Sequence, residues 1–323
     1  MDFVVAGIGR VLIVLDDKSG HQSKSKGVIT ALQRRMDFEV CAWSPSSWSF
    51  AIGKILRRTV PQLCPMLVPS RFESVDLVVG SGGNTLAHTF GAMKSLNAKG
   101  LFVGSTRGLE KYNLQSVHAD PMRDYGHFFP VLPPKFDINS LSEAWLSFAS
   151  EEGIPSEEAF DVLFFGGDGS GCTWRPADLH SILELIKSSF DQTGRRWLIS
   201  TSRRTPLWLE QELRRNIPEA AVADACWFGQ GDQRRVVQPY LGAASRVFVS
   251  MDSATMMHEA LFSGRPVSIV GDLNQIASRP HRASVDGLVQ AGLLAQDPLD
   301  PEKYLEDFAD QMLRTMGLSG SGS

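Results

Sequence analysis

The stretch that decides the fold is Val162–Phe190, VLFFGGDGSGCTWRPADLHSILELIKSSF. It opens with a short apolar run, Val162–Phe165, and passes through a turn with four glycines in six residues, Gly166–Gly171. It ends in a helical pattern, Pro176–Phe190. A continuous apolar run bounded by glycine suits a strand buried on both faces, and a helix behind it suits a βαβ unit with a parallel sheet. The cadence recurs on both sides. Downstream, Trp197–Ser200 leads through TSRRTP to a helix over Leu207–Asn216. Val247–Ser250 then leads through MDSAT to a helix over Met256–Ser263 and a strand at Val267–Val270. Upstream, Val11–Leu15 leads through DDKSGHQSKSKG to a helix over Lys26–Arg35, and Glu39–Trp43 forms the next strand. Leu77–Val79 leads through GSGGNTLAH into a helix ending at Ser95, and Lys99–Val103 follows as another strand.

The pattern runs twice, interrupted by PVLPP at Pro130–Pro134 and by Ser140–Ser156, which reads as a helix plus polar linker. A chain of 323 residues suits two domains. The expected class is therefore α/β, with two Rossmann-like domains facing a cleft. The expected bounds are residues 1–157 for the N-terminal domain, 158–316 for the C-terminal domain and 317–323 for a flexible tail. In such sheets ligands sit beyond the carboxyl ends of the strands, where all the glycine loops fall.

Composition excludes several classes. The hydrophobic fraction of 43% and charged fraction of 21% are those of a folded globular chain. A net charge of -4 argues against a nucleic-acid partner, which needs an excess of Lys and Arg. Four scattered cysteines form no CxxC pair, so neither a metal site nor a disulfide framework is expected, and reduced thiols point to a cytoplasmic protein. The opening run MDFVVAGIGRVLIVLDD is broken by Gly7, Gly9 and Arg10, and reads as a lead-in and a buried strand rather than a signal peptide. No apolar run reaches the ~18–20 residues of a membrane span.

Chemistry concentrates in the loops. Gly167, Asp168, Gly169 and Ser170 sit in a turn whose free N–H groups and following helix favour a phosphate, although the spacing is not a GxGxxG fingerprint. Ser202, Arg203 and Arg204 combine a hydroxyl with paired guanidiniums, which suit phosphate or carboxylate. Asp252 or Ser253 can cap a helix whose N-terminal amides, near Thr255, point at an anion. Glu259, further along, can take the two hydroxyls of a ribose. In the first half, His21 is a candidate general base, with Asp16 or Asp17 taking that role instead or orienting the imidazole. Gly20, Gly82, Gly83 and Asn84 lie in turns suited to an acceptor or to the donor's sugar. Each loop is also explicable as a plain turn. The segment Trp48–Arg58 suits either an anionic membrane surface, as a peripheral contact, or an ordinary helix with Ile52, Ile55 and Leu56 in the core.

These residues resemble a known family. The strand with GGDGSG, Trp174, the strand with TSRRTP, and PYLGAASRVFVSMDSATMMHEALFSGRPVSIV look like the elongated-mitochondria, or mitochondrial fission protein, family. Its bacterial members are regarded as GT-B glycosyltransferases. LIVLDDKSGHQSKSKGVITAL is similar to that family's opening motif, and between Tyr112 and Phe136 no match is evident. More distantly, the arrangement is similar to the GT-B enzyme that adds N-acetylglucosamine in lipid II synthesis. By that likeness His21 is the base; Gly167, Gly169, Ser170, Arg203, Ser253 and Thr255 face the phosphates, and Glu259 the ribose. The resemblance implies a metal-independent enzyme without a bound cofactor. It would transfer a sugar from a nucleotide-sugar donor to a glycan or glycolipid acceptor, in bacterial lipopolysaccharide or envelope polysaccharide synthesis at the inner membrane. Two alternatives stay open: a non-catalytic scaffold of the same fold, which eukaryotic members imply, and a non-hydrolysing sugar-nucleotide epimerase.

Overall fold

The computed structural model describes residues 9–169, 171–294 and 298–318. The expected lead-in at residues 1–8, Ser170 and most of the expected tail lie outside the described residues. The chain forms two compact units, one of residues 1–135 and 302–323, the other of 136–301.

The first unit is built on six parallel strands: β1 (Arg10–Val14), β2 (Glu39–Trp43), β3 (Leu77–Ser81), β4 (Lys99–Val103), β5 (Leu114–His118) and β6 (His127–Phe128). Their order is β2-β1-β3-β4-β5-β6. Three helices connect them: α1 (Ser19–Gln33), α2 (Ser47–Thr59) and α3 (Leu86–Ser95). Leu12, Val14, Trp43, Val78 and Ala92 make one core cluster, and Leu86, Phe90, Phe102 and Leu114 another. Strand β5, LQSVH, is not anticipated from sequence because Gln115 and His118 break its apolar run. Helix α1 begins at Ser19, seven residues before its expected start, so Gly20 and His21 lie in its first turn rather than in a loop.

Helix α4 (Leu141–Glu152) opens the second unit. Its sheet has the order β11-β10-β7-β8-β9 and is parallel throughout. The strands are β7 (Phe160–Phe164), β8 (Trp197–Ser200), β9 (Val222–Cys226), β10 (Ala244–Ser250) and β11 (Val267–Val270), with helices α5 (Pro176–Thr193), α6 (Leu207–Asn216), α7 (Val237–Ala243), α8 (Ala254–Leu261) and α9 (Arg279–Gln290). The strand VLFF of the opening motif is fully buried, as its unbroken apolar run requires.

The expected division at 157/158 differs from these units at two places. Helix α4 joins the second unit because it packs on α7, where the Leu141 carbonyl leaves no room for a Cβ at Gly242. The last helix, α10 (Pro301–Thr315), joins the first from Glu302 onward. There Phe308 meets Phe129 at 4.3 Å between ring centroids, Tyr304 donates to the Val131 carbonyl at 2.9 Å, and Arg35 donates to Asp310 at 2.8 Å.

Candidate functional site

In the second unit the loops after β7, β8 and β10 are joined by one buried acid. Asp252 is 1% exposed and accepts from the Gly167 amide at 3.2 Å and from Ser250 Oγ at 2.6 Å. Its other oxygen meets Arg204 Nη2 at 2.8 Å. Burial pushes its carboxyl pKa up, while Ser250 and Arg204 pull the other way. The β7 and β8 loops also zip together beyond their strands: Gly167 bridges Arg204, whose carbonyl accepts from the Asp168 amide at 3.0 Å. Gly167 has φ +129, and a Cβ there would strike the Arg204 backbone. Ser202 Oγ donates to the Gly166 carbonyl, and Thr205 Oγ1 donates to the same oxygen at 2.8 Å.

The helix behind the glycine turn starts where expected, but its first turn is closed. Helix α5 starts at Pro176, and Asp178 accepts from the Arg175 amide at 2.9 Å and from Gln275 at 2.9 Å, so its N-terminus is capped from within. The residues between are occupied by Trp174, whose Nε1 donates to the Gly167 carbonyl at 3.0 Å and whose ring lies 4.4 Å from Phe165. Helix α8 is different. It follows Ser253 directly, with no side-chain cap on its first turn, and thus presents backbone amides beside the Arg204–Asp252 pair.

The expected donor residues fall as follows. Gly167, Asp168, Gly169, Ser202, Arg204 and Asp252 come together in this network, with Asp252 as the buried tie rather than an open cap. Arg203 and Asp168 are exposed, Ser253 is buried, Thr255 is half-buried, and Glu259 is buried at 8% exposure. Sequence reading missed a fourth loop, Trp227–Gly231 after β9. Glu210 accepts from Thr201 Oγ1 at 2.6 Å and from the Gly229 amide at 3.0 Å, and Thr201 Oγ1 accepts from the Phe228 amide at 2.8 Å. The signal was an acid at a core-facing position of α6 ahead of the turn WFGQG, but β9 itself, VADAC, hides behind Asp224.

In the first unit, Asp16 and His21 form a pair. Asp16 Oδ2 lies 2.8 Å from His21 Nδ1, and the carboxylate side chain is fully buried. An ionised carboxylate only accepts, so Nδ1 is the donor of this contact and Nε2 is the ring nitrogen outside it. The Lys18 amide donates to the other Asp16 oxygen at 3.2 Å, and Gln22 donates to its carbonyl at 2.6 Å. Asp17 is exposed. Gly82, at φ +88, abuts the imidazole so closely that a Cβ would overlap the ring. The next residue, Gly83, faces the Arg107 guanidinium. Asn84 is half-buried in the same turn, and Gly20 lies one residue before His21. Thus Asp16, His21, Gly20 and the Gly82–Asn84 turn share the carboxyl end of the first sheet.

Among the described residues no group of three or more His, Cys, Asp or Glu is placed to hold a metal ion, and no helix is long and apolar enough to cross a membrane.

No curated protein matches the chain. Solved structures similar to it over nearly its whole length include E. coli ADP-heptose LPS heptosyltransferase II, 14% identical with a TM-score of 0.48, covering 96% of this chain and 98% of that one. Others are the UDP-GlcNAc 2-epimerase of Methanocaldococcus jannaschii, at 11% and 0.49, covering 95% and 99%, and S. aureus MnaA with UDP, at 9% and 0.47, covering 98% and 100%. The family model Mitochondrial fission ELM1 matches residues 19–315. That span takes in most of both units, and the chain belongs to the Mitochondrial fission ELM1 family.

Proposed function

We propose that this chain is a glycosyltransferase that moves a sugar from a nucleotide-sugar donor to a glycan or glycolipid acceptor. The observation that carries the reading is the convergence of three strand-end loops of the second unit on Arg204, beside the uncapped start of α8. Exposed guanidinium and oriented amides together suit a diphosphate. Arg203 and Arg204 would neutralise the leaving nucleoside diphosphate, with Gly169 giving close backbone approach and Ser170 in the same turn. Glu259 would take the ribose hydroxyls. Such cations replace a metal ion at the leaving group, so the reaction is expected to need neither metal nor cofactor.

The first unit would hold the acceptor. His21 Nε2 takes the proton of the acceptor hydroxyl as its oxygen bonds to the anomeric carbon. The bond from that carbon to the diphosphate breaks, and the nucleoside diphosphate departs, giving inversion. Asp16 keeps the imidazole in the required tautomer.

The acceptor proposed is lipopolysaccharide core or a related envelope glycan, met at the cytoplasmic face of a bacterial inner membrane. Support for a peripheral contact comes from α2. Of the two readings of this segment, the one with Ile52 and Ile55 in the core does not fit: Trp48 is 69% exposed, Ile55 63%, and Ile52 is exposed beside them, with Met66 at 80% just beyond the helix. Between Val40 and Phe72 there is no acidic residue, while Lys54, Arg58 and Arg71 are basic and exposed. An apolar face flanked by cations suits an anionic lipid surface.

Calorimetric titration with UDP, GDP, ADP and CMP compounds tests the reading. One of them should bind, and Glu259→Ala should weaken it by ~1–3 kcal/mol through lost charged hydrogen bonds. A folded protein that binds none is a scaffold, and isomerisation of the sugar nucleotide without acceptor marks an epimerase. Turnover abolished by chelator would sink the metal-free mechanism.

A further inference from the structure

The carboxyl end of the first sheet gathers more positive charge than its acids answer, in a protein whose net charge is -4. Arg57, on the last turn of α2, is only 8% exposed, and its Nε is buried without a hydrogen-bond partner. Its charged neighbours are two further arginines, Arg107 and Arg58, so burial and repulsion both push its pKa down. Arg107 belongs to the turn after β4 and is held at φ +50, a left-handed conformation that strains a non-glycine residue. The turn is fastened by Glu110, which accepts from Thr106 Oγ1 at 2.5 Å and from the Gly108 amide at 3.0 Å. That acid is spent on its own turn. The Arg107 guanidinium is left beside Gly83, in the turn that also touches His21.

The remaining charges add to the excess. Lys24, on the second turn of α1, is desolvated beside Arg123, and both effects push its pKa down. Arg123 pairs with Asp120 at 3.3 Å and still has a buried Nη1 without a partner. Asp16 is committed to His21, while Asp17 and Asp124 are exposed. Among the described residues the side chains of Arg57, Arg107 and Lys24 have no hydrogen bond or ion pair. Cations held together without counter-ions at a strand end concentrate positive potential, and an anionic ligand relieves their repulsion.

We propose that Arg107 and Arg57 form an anion subsite beside Gly83 and His21, which takes a phosphomonoester or carboxylate carried by the sugar acceptor. Naming the ligand an acceptor rests on the glycosyltransferase reading; the anion subsite does not. Lys24 and Arg123 extend the same field and would steer the anion inward.

The test is calorimetry on the full chain at low salt, with saturating nucleoside diphosphate to fill phosphate sites in the second unit. The probes are glucose, glucose 6-phosphate and glucuronic acid. At least one anionic sugar should bind while glucose does not, and the stronger of the two identifies phosphate or carboxylate as the group. Arg107→Gln should weaken that binding about tenfold or more, as for a lost charged hydrogen bond. Arg265→Gln, at an exposed arginine outside both sites, should leave it unchanged. Arg57→Gln should act like Arg107→Gln; if it unfolds, the exposed Arg107 carries the test alone. Equal binding of all three sugars, or full affinity in a folded Arg107→Gln protein, overturns the proposal. If no nucleotide binds but the Arg107-dependent heat persists, the donor reading fails and the subsite stands.

Discussion

Arg204 Nη2 lies 2.8 Å from Asp252 Oδ2, and this ion pair has a fully buried acid and a base whose side chain is 43% exposed. The buried partner also holds the Gly167 amide and Ser250, so one carboxylate sets the geometry of three loops while the arginine tip stays available.

Removing the acid should therefore cost stability and removing the base should cost affinity. Asp252→Ala leaves the Gly167 amide without its acceptor and Arg204 without its counter-ion, for a loss of about 2–3 kcal/mol. Urea denaturation measures it, and a loss below about 0.5 kcal/mol, the range of an inert surface change, would contradict the tie. Arg204→Gln should lower nucleotide affinity about tenfold or more, since a charge-assisted contact to phosphate is lost.

Gly82 and Gly153 separate two effects of a methyl group. Both have positive φ, +88 and +68, but an added Cβ meets the His21 ring at Gly82 and open space at Gly153. Gly153→Ala should cost about 1 kcal/mol of backbone strain and leave turnover intact. Gly82→Ala should cost more and, by displacing the imidazole, should cut sugar transfer at least about a hundredfold, the scale of a lost general base. Equal turnover in the two variants would remove His21 from the mechanism.

His88 should make stability fall in mild acid. It is fully buried, its Nε2 lies 2.8 Å from Ser49 Oγ, and burial depresses its pKa from 6.5 to about 4. Above pH 6.5 both folded and unfolded forms are neutral and its contribution is complete. As pH falls toward 4 the unfolded chain takes up a proton that the folded one refuses, and about 3 kcal/mol is lost. His88→Gln should flatten the denaturation midpoint over that window. It should not level it, because His118 and His127, also depressed by burial, act in the same direction. An unchanged slope would refute the assignment.

Trp48 and Ile55 should govern attachment to lipid. The protein should sediment with vesicles containing anionic phospholipid and not with neutral ones. Trp48→Ser with Ile55→Ser should abolish this without loss of fold, since both side chains are exposed. Sedimentation unchanged by the double substitution would rule out α2 as the docking face.

The architecture was legible from local pattern: apolar runs, glycine turns and helical stretches recur at βαβ spacing, and both parallel sheets follow from them. Strands β5 and β9 escaped because Gln115 and Asp224 interrupt runs whose burial depends on neighbouring strands. The Asp16 and His21 chemistry was visible as residue types, yet their 2.8 Å contact needs α1 to begin seven residues before the pattern suggests.

Period and turn chemistry are properties of a few adjacent residues, and they determined the class of fold and the loops that carry chemistry. What each charge or apolar face meets depends on segments far away in the chain. Only tertiary structure could make Asp252 a buried tie, turn Trp48 and Ile55 outward, leave Arg57 and Arg107 without acids among the described residues, and send α10 back to the first unit. Burial and ion pairing are set by the surface a side chain lies against, and no local periodicity encodes that surface.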